Sequence, residues 1–171
     1  LIEERFLTIK KDLNLQYPIE KDLEELKGQL SKSMSTDYLV SRGEYLTAKL
    51  MAEYLGFPFV DAKDIITFHY DGKIDFDATK YRLDGFMKNH DRFVMPGFYG
   101  ALPDGMIKTM SRGGSDITGS ILARILNADM YENWTDVSGI LMADPRIVHH
   151  PKRIDKITYS ELRELSYMGA S

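Results

Sequence analysis

Two short stretches in the second half of the chain combine residue types that bind anions. Residues 111–116 read Ser-Arg-Gly-Gly-Ser-Asp and lead into an apolar-periodic segment that is typical of a helix. Residues 134–146 form the second stretch, with Thr135 and Asp136 near its start and Arg146 at its end. One helix and one strand separate them, so we predict two anion-binding loops on the same edge of a sheet. A kinase for a small charged substrate needs such a pair of loops.

The first loop has the chemistry expected for an amino-acid ligand. Gly113 and Gly114 allow close backbone approach, and a helix that begins at Ser115 or Asp116 presents free N–H groups to an anion. The guanidinium of Arg112 suits a carboxylate or a phosphate. Asp116 adds a negative charge, which fits a ligand with an ammonium beside its carboxylate. The alternative is a glycine-rich turn with an ordinary Ser or Asp cap and a surface arginine.

The second loop has the chemistry expected for a nucleotide. Thr135 and Asp136 fall at the carboxyl end of a predicted strand, where Asp136 suits a sugar hydroxyl or an amino group. Arg146 follows Asp144 and Pro145 in a predicted turn that leaves its side chain free to meet a phosphate. The alternative is a loop in which the aspartate and the arginine satisfy each other.

Glu44 is a third candidate. It follows Ser41, Arg42 and Gly43, and the glycine lets a ligand approach the backbone. A carboxylate at this position could bind a substrate ammonium. The alternative is an ordinary glutamate on the exposed face of a helix.

The composition excludes several classes of protein. With 43% hydrophobic and 28% charged residues, 171 residues can form a core, as one domain or part of one. A net charge of −4 argues against a nucleic-acid partner, and no apolar run approaches the roughly 18 residues of a membrane span. The absence of cysteine removes disulfides and thiolate metal sites, which fits the cytoplasm. No metal site is predicted, and the zincin, α/β-hydrolase and P-loop motifs do not occur.

Strand-like and helix-like segments alternate along the chain. This order predicts an α/β protein whose sheet is covered on both faces, and two hairpins make the sheet mixed. The expected helices are 2–13, 18–30 with Pro18 in its first turn, 36–55 with a break near Gly43, 79–89 and 115–126. The expected strands are 57–62, 92–100 and 130–135, and the hairpins lie at 65–76 and around 103–105. A capping box at 158–161 starts a last helix.

Several motifs, in the same order, resemble those of the aspartokinases in the amino-acid-kinase superfamily. The resemblance is dense from residue 94 to 170, patchy from 36 to 60 and weak before that. It implies a three-layer α/β/α sandwich with a mostly parallel mixed sheet. The segments that carry the resemblance are 41–44, 97–105, 112–116, 135–139, 144–148 and 167–170.

The resemblance also implies an activity and a set of site residues. The activity is transfer of the γ-phosphoryl group of ATP, with Mg²⁺, to the β-carboxylate of L-aspartate, the entry to lysine, methionine and threonine synthesis. Arg112 and Asp116 are implied as catalytic residues. The implied aspartate site comprises Glu44, Arg112, Gly113, Gly114, Ser115 and Asp116. The implied nucleotide site comprises Thr135, Asp136, Leu141 and Arg146.

By the same resemblance, residues 1–171 are an internal part of one catalytic domain. About 1–90 is the substrate-side portion and about 91–171 the nucleotide-side portion. The family's Lys/Gly phosphate loop is absent and is expected before Leu1, and its ACT regulatory domains are expected after Ser171. Many relatives carry a lysine at the position of Ser171. The full-length protein is expected to be an allosteric homo-oligomer.

Two other functions fit the same residues. One is a kinase of the same superfamily that acts on another amino acid or small acid. The other is a nucleotide- or amino-acid-binding module without turnover. An aspartate β-carboxylate, with a pKa near 4, is already ionised at neutral pH, so a kinase needs no general base. Catalysis then depends on positioning and charge neutralisation, which fits a site without a cysteine or an evident catalytic histidine.

Overall fold

The computed structural model describes residues 1–30, 34–111, 113–134, 139–144, 147–161 and 164. The chain divides into two compact units, Leu1–Tyr131 and Glu132–Ser171. No helix within the described residues is both long enough and apolar enough to cross a membrane. The first unit contains, in order, α1 (Ile2–Asp12), α2 (Ile19–Leu30), α3 (Thr36–Leu55), α4 (Ala62–Ile65), α5 (Phe76–Met87), β1 (Tyr99–Ala101), β2 (Ile107–Thr109) and α6 (Gly114–Ile125).

The long helix α3 begins and ends where the sequence predicts. The Ser35 hydroxyl accepts a hydrogen bond from the Tyr38 N–H at 3.1 Å and caps the amino end. Gly56 ends the helix in the left-handed conformation, with φ of +66°. The helix passes through Gly43 without the predicted break. The predictions for α1, α2 and α6 are also confirmed to within a residue or two at their ends.

The three N-terminal helices pack around one apolar cluster. α3 contributes Leu46 and Leu50 to it. The same inner face of α3 carries Lys49, whose ammonium contacts the Asp22 carboxylate of α2 at 2.8 Å. This packing holds α3 against α1 and α2. The buried members of the cluster are Phe6, Leu15, Ile19, Leu23, Leu46 and Leu50.

A second cluster surrounds the β1–β2 hairpin. β1 pairs antiparallel with β2, with Tyr99 opposite Thr109 and Ala101 opposite Ile107. Thr67 forms an isolated parallel bridge with Ala101 on the other side of β1. Helices α4, α5 and α6 supply part of the surrounding apolar side chains, and the connecting segments supply the rest. The buried members of this cluster are Val60, Ile65, Ile66, Phe68, Leu83 and Ile121.

The predicted strand over 57–62 is wrong. Phe59 makes only one parallel bridge, with Val94, and the chain enters α4 at Ala62. Asp61 causes this change, because its carboxylate accepts a hydrogen bond from the Lys63 N–H at 3.2 Å and caps the short helix. A short apolar run is compatible with either a strand or a helix, and here the cap decides.

Other predicted boundaries also shift. α5 begins at Phe76 instead of residue 79, because the Asp75 carboxylate caps it through the Ala78 N–H at 2.9 Å. Of the strand predicted over 92–100, only the start of β1 and the bridge at Val94 form. Within 130–134, the described part of the last predicted strand, no strand forms.

Both predicted hairpin turns are present. The first turns at Gly72, with φ of +84°, and carries a single antiparallel bridge between Phe68 and Ile74. The second joins β1 to β2 through Gly105, whose φ is also +84°. Glycine suits both turns because it adopts a positive φ at little cost.

Candidate active site

Helix α6 begins slightly earlier in the chain than the sequence predicts. Gly113 is the N-cap residue, with φ of +79°, and no side chain caps the helix, which begins at Gly114, one residue before the predicted start at Ser115. The Gly113 carbonyl accepts a hydrogen bond from the Ile117 N–H at 3.1 Å. Ser115 and Asp116 lie in the first turn and are exposed. The amino end of α6 is therefore formed by backbone, which is the arrangement that binds anions.

Gly114 allows α6 to pack closely against the residues that flank the hairpin. A Cβ at this position would lie 2.8 Å from the Met110 Cβ and 2.9 Å from the Phe98 Cβ. A Cβ at Gly97 would likewise lie 3.0 Å from the Ser115 Cα. The Thr118 hydroxyl of α6 accepts a hydrogen bond from the Phe98 N–H at 2.9 Å. The first turn of α6 is thus seated directly on the segment that enters β1.

Phe98 adopts a backbone conformation that is unusual for a large residue. Its φ is +69°, in the left-handed region that glycine favours. The Phe98 carbonyl accepts a hydrogen bond from the Met110 N–H at 2.7 Å, so both of its backbone groups are engaged. Such strain persists only where the surrounding contacts hold it, and it is often found at functional sites.

Glu44 lies on the outward face of α3. Its side chain is exposed, and it forms no hydrogen bond or ion pair with any residue that the structure describes. A Cβ at the neighbouring Gly43 would meet nothing within 4 Å, so the surface beside Glu44 is open. The glutamate is therefore available to a ligand.

The β1–β2 hairpin connects the helix that carries Glu44 to the first turn of α6. α3 packs against β2, where the Asp37 carboxylate accepts a hydrogen bond from the Thr109 hydroxyl. α6 packs against β1 and its entry segment. Glu44 and residues 113–116 are thus carried by two elements that share one support.

Sequence reasoning did not single out the environment of Arg42. The side chain is buried, and its guanidinium carbon lies 4.5 Å from the ring centroid of Tyr38, 4.4 Å from that of Tyr45 and 5.5 Å from that of Tyr99. The Tyr99 hydroxyl donates a hydrogen bond to Asp61 at 2.7 Å. Burial, and next the Asp61 charge, raise the pKa of Tyr99 well above its ordinary value. The spacing of Tyr38, Arg42 and Tyr45 on one helix face was a visible signal, but the partner on β1 was not.

The second unit contains Leu141, which is half-buried. It forms an antiparallel bridge with Arg153, and the Met142 N–H donates a hydrogen bond to the Lys152 carbonyl at 2.9 Å. The Asp144 carbonyl accepts hydrogen bonds from the N–H groups of residues 147 and 148, at 3.0 Å each, which closes a turn.

The predicted capping box at residues 158–161 is confirmed. The Thr158 hydroxyl accepts a hydrogen bond from the Glu161 N–H at 3.3 Å, and the Thr158 N–H donates one to the Glu161 carboxylate at 2.8 Å.

Four candidate residues lie outside the described part of the chain. They are Arg112, Thr135, Asp136 and Arg146.

Within the described part, no group of three or more His, Cys, Asp or Glu residues is arranged to hold a metal ion. A cavity of about 510 Å³ lies at Ser35, Tyr38, Lys63 and Met106 and includes no candidate site residue. The candidate site therefore consists of Glu44 and residues 113–116, on two elements braced by one hairpin.

Comparison with known proteins identifies relatives along the whole chain. The model of the amino acid kinase family matches residues 4–171. Aspartokinase 3 of Bacillus subtilis is 38% identical over 184 residues, which cover 99% of this chain and 40% of that protein. The crystal structure of Clostridium acetobutylicum aspartate kinase, described as an allosteric enzyme, superimposes with a TM-score of 0.89 at 47% identity over 99% of this chain and 39% of that one.

A third similarity concerns a structure solved with ligands. E. coli aspartokinase III in complex with aspartate and ADP gives a TM-score of 0.79 at 29% identity, over 98% of this chain and 44% of that one. The chain thus spans about 40% of the length of the proteins it matches. The structure has the fold that these kinases share.

Proposed function

The chain belongs to the amino acid kinase family, and we propose that the protein that carries it is an aspartate kinase. In the proposed reaction a β-carboxylate oxygen of L-aspartate attacks the γ-phosphorus of ATP. The bond from that phosphorus to the β,γ-bridging oxygen breaks, and β-aspartyl phosphate and ADP result. The seating of the Gly113 turn on the hairpin that also supports the Glu44 helix is the observation that carries the proposal.

An amino-acid substrate fits the charges of this site. Glu44 is exposed beside an open surface and would bind the substrate ammonium. The backbone amides at Gly113, Gly114 and Ser115 would bind a substrate carboxylate at the amino end of α6, with the guanidinium of Arg112 beside them. A site with both signs of charge favours a zwitterion over a simple anion.

Charge neutralisation is the main task of catalysis in this reaction. The acceptor is already ionised at neutral pH, so the barrier lies in bringing one anion to another. Arg112 and Asp116 are the proposed catalytic residues; the arginine offsets the developing charge, and the aspartate stands in the first turn of α6 beside the bound substrate. Mg²⁺ bound with ATP would neutralise phosphate charge, and Asp116 is an exposed residue whose side chain is a carboxylate, a ligand type that this ion accepts.

The nucleotide side of the proposal lies in the second unit. Arg146 would bind phosphate, and Leu141 would contact the nucleotide as a half-buried apolar side chain. Thr135 and Asp136 would hold its polar groups. The similar E. coli enzyme was crystallised with ADP, which supports nucleotide use by this protein.

The remaining features of the proposal concern the whole protein. It would contain a three-layer α/β/α sandwich with a mostly parallel mixed sheet, of which this chain supplies an internal part. Residues 1–90 would serve the aspartate side and residues 91–171 the nucleotide side. It would act in the cytoplasm as an allosteric homo-oligomer at the entry to lysine synthesis, in keeping with the allosteric Clostridium relative.

Trapping of the acyl phosphate tests the activity. The purified natural gene product that carries this sequence should form aspartate hydroxamate from L-aspartate, MgATP and hydroxylamine. Glutamate, acetylglutamate and a nucleoside monophosphate serve as competing acceptors, compared by the ADP that each releases from ATP. Absence of hydroxamate above the enzyme-free control, or a preference for another acceptor, would refute the assignment.

The variant Glu44→Gln tests the ammonium contact. Loss of a charged hydrogen bond costs about 1.5–3 kcal/mol, which raises the KM for aspartate about ten- to hundred-fold. Glu24→Gln is the matched control, because Glu24 is an exposed glutamate on the neighbouring helix α2. An equal effect of the two substitutions on the KM for aspartate would contradict a role for Glu44.

A further inference from the structure

Arg42 is a buried cation without an acidic partner among the described residues. Its side chain is only 8% exposed. Its Nη2 donates a hydrogen bond to the Ser41 hydroxyl at 2.9 Å, and its Nε donates to the Tyr38 carbonyl at 3.3 Å. Burying a charge is costly unless other groups compensate for it, so such a residue needs a reason in the surrounding structure.

Three tyrosine rings supply the compensation. Tyr38 and Tyr45 belong to the same helix as Arg42, at positions i−4 and i+3, and contact the guanidinium with their faces. Tyr99 belongs to β1 and contacts it from across the interface, at 5.5 Å. Arg42 is therefore a bridge from α3 to the hairpin.

Tyr99 is itself held in place by a hydrogen bond to Asp61. Its hydroxyl donates to the Asp61 carboxylate, which also caps α4. The ring is fully buried, so it cannot move aside when α3 shifts. Contact with Arg42 thus ties α3 to a fully buried residue of the hairpin.

The residue before Tyr99 holds the first turn of α6. Phe98 donates its N–H to Thr118, and it leaves no room for a side chain at Gly114. Tyr99, which contacts Arg42 of α3, therefore directly follows Phe98, which contacts the first turn of α6. Two adjacent residues, Phe98 just before β1 and Tyr99 in β1, connect the two halves of the candidate site.

We propose that Arg42 is a positioning residue for the aspartate site. Its guanidinium, held between the three tyrosine rings, sets the rotation and distance of α3 relative to the hairpin. Glu44 lies two positions further along, about 200° around the helix, so the inward anchor at Arg42 fixes the outward direction of Glu44. The proposal rests on the aspartate kinase function proposed above.

Lys49 provides a matched control on the same helix. Its ammonium also lies against an aromatic face, 4.4 Å from the ring centroid of Tyr45, and it is also largely buried. Burial is the largest single influence on the pKa of Lys49 and would lower it, but hydrogen bonds to Asp22, Tyr17 and Tyr45 together outweigh burial and raise the pKa. The partner Asp22 lies on α2, so Lys49 holds α3 to the helical cluster. Among the described residues Lys49 makes no hydrogen bond, ion pair or aromatic contact with the hairpin.

The experiment compares Arg42→Gln, Arg42→Lys and Lys49→Gln in the natural gene product that carries this sequence. The readouts are KM for aspartate, KM for ATP, kcat and Tm. We expect Arg42→Gln to raise the KM for aspartate by at least about fivefold and to change the KM for ATP by less than about twofold. Arg42→Lys should give an intermediate KM for aspartate, because its ammonium keeps one cation–π contact but not the planar fork.

Lys49→Gln separates positioning from general destabilisation. It should lower Tm about as much as Arg42→Gln while it leaves the KM for aspartate within about twofold of the wild-type value. An unchanged KM for aspartate in Arg42→Gln, or an equal increase in Lys49→Gln, overturns the inference. If Arg42→Gln does not fold, Arg42→Lys decides the question, and a wild-type KM for aspartate in that variant overturns the inference.

The wild-type protein separates this inference from the proposed function. If it forms no aspartate hydroxamate, the proposed function fails and the positioning role fails with it. If it is active and the Arg42 variants have the wild-type KM for aspartate, only the positioning role fails. Direct calorimetric titration of L-aspartate gives a second readout, in which Arg42→Gln should weaken binding by about the same factor as the rise in KM.

Discussion

Gly114→Ala should disturb the candidate site through packing alone. The new Cβ would lie 2.8 Å from the Met110 Cβ, 2.9 Å from the Phe98 Cβ and 3.1 Å from the Phe98 Cα. Carbon atoms in contact prefer about 3.5–4 Å, so the first turn of α6 must move by about 1 Å. Phe98 cannot retreat easily, because both of its backbone groups are hydrogen-bonded.

The size of the effect follows from overpacking. Inserting a methyl group into a filled site costs about 1–3 kcal/mol, and alanine recovers up to about 1 kcal/mol of helix propensity. With the full recovery, the net loss of about 0–2 kcal/mol corresponds to a fall in Tm of up to roughly 8 °C. A displacement of about 1 Å at catalytic groups costs up to about a hundredfold in rate, so kcat/KM for aspartate should fall by one to two orders of magnitude.

Gly85→Ala is the control for this prediction. Gly85 lies within α5, and a Cβ there would meet nothing within 4 Å. The substitution should raise stability by about 0.5–1 kcal/mol and leave kinetics unchanged. Thermal unfolding and steady-state kinetics of the two variants check the comparison. If Gly114→Ala is as stable and as active as Gly85→Ala, the packing account of this site is wrong.

Two further substitutions test the supports of the site. Tyr99→Phe removes the hydrogen bond to the buried Asp61 and should cost about 1–3 kcal/mol at neutral pH. Because burial raises the pKa of Tyr99 above 10.0, its contribution is fully present below pH 10 and is lost as the pH rises further. Melting curves from about pH 8 to 11 should therefore show a smaller alkaline loss of Tm in Tyr99→Phe than in the wild type; parallel losses would contradict the assignment. Ser35→Ala removes the cap of α3 and should cost about 1 kcal/mol, whereas Ser35→Asp, which keeps an acceptor, should cost less in the same unfolding assay.

Local signals in the sequence predicted the helix that carries Glu44. Ser35 and Gly56 mark its two ends, and both act as the patterns of their residue types indicate. The hairpin turns at Gly72 and Gly105 were predicted for the same reason, since a turn depends on a few neighbouring residues. Features set by short-range chemistry were therefore accessible without the structure.

Features that depend on contacts between residues far apart in the sequence could not be predicted from the sequence alone. The glycine at 114 follows a familiar anion-binding pattern, but its close contact is with Phe98, which lies 16 positions earlier in the chain. The tyrosines beside Arg42 on α3 were visible as a helical pattern, whereas Tyr99 lies on a strand whose position no periodicity gives. At 57–62 an apolar run suggested a strand, and one capping aspartate turned its end into α4.

A crystal structure of the natural gene product with L-aspartate and MgADP tests the central claim most directly. The account predicts the substrate ammonium within hydrogen-bonding distance of the Glu44 carboxylate, and one substrate carboxylate at the backbone amides of the first turn of α6. Aspartate bound away from both elements, or bound at α6 with Glu44 directed elsewhere, would contradict the account.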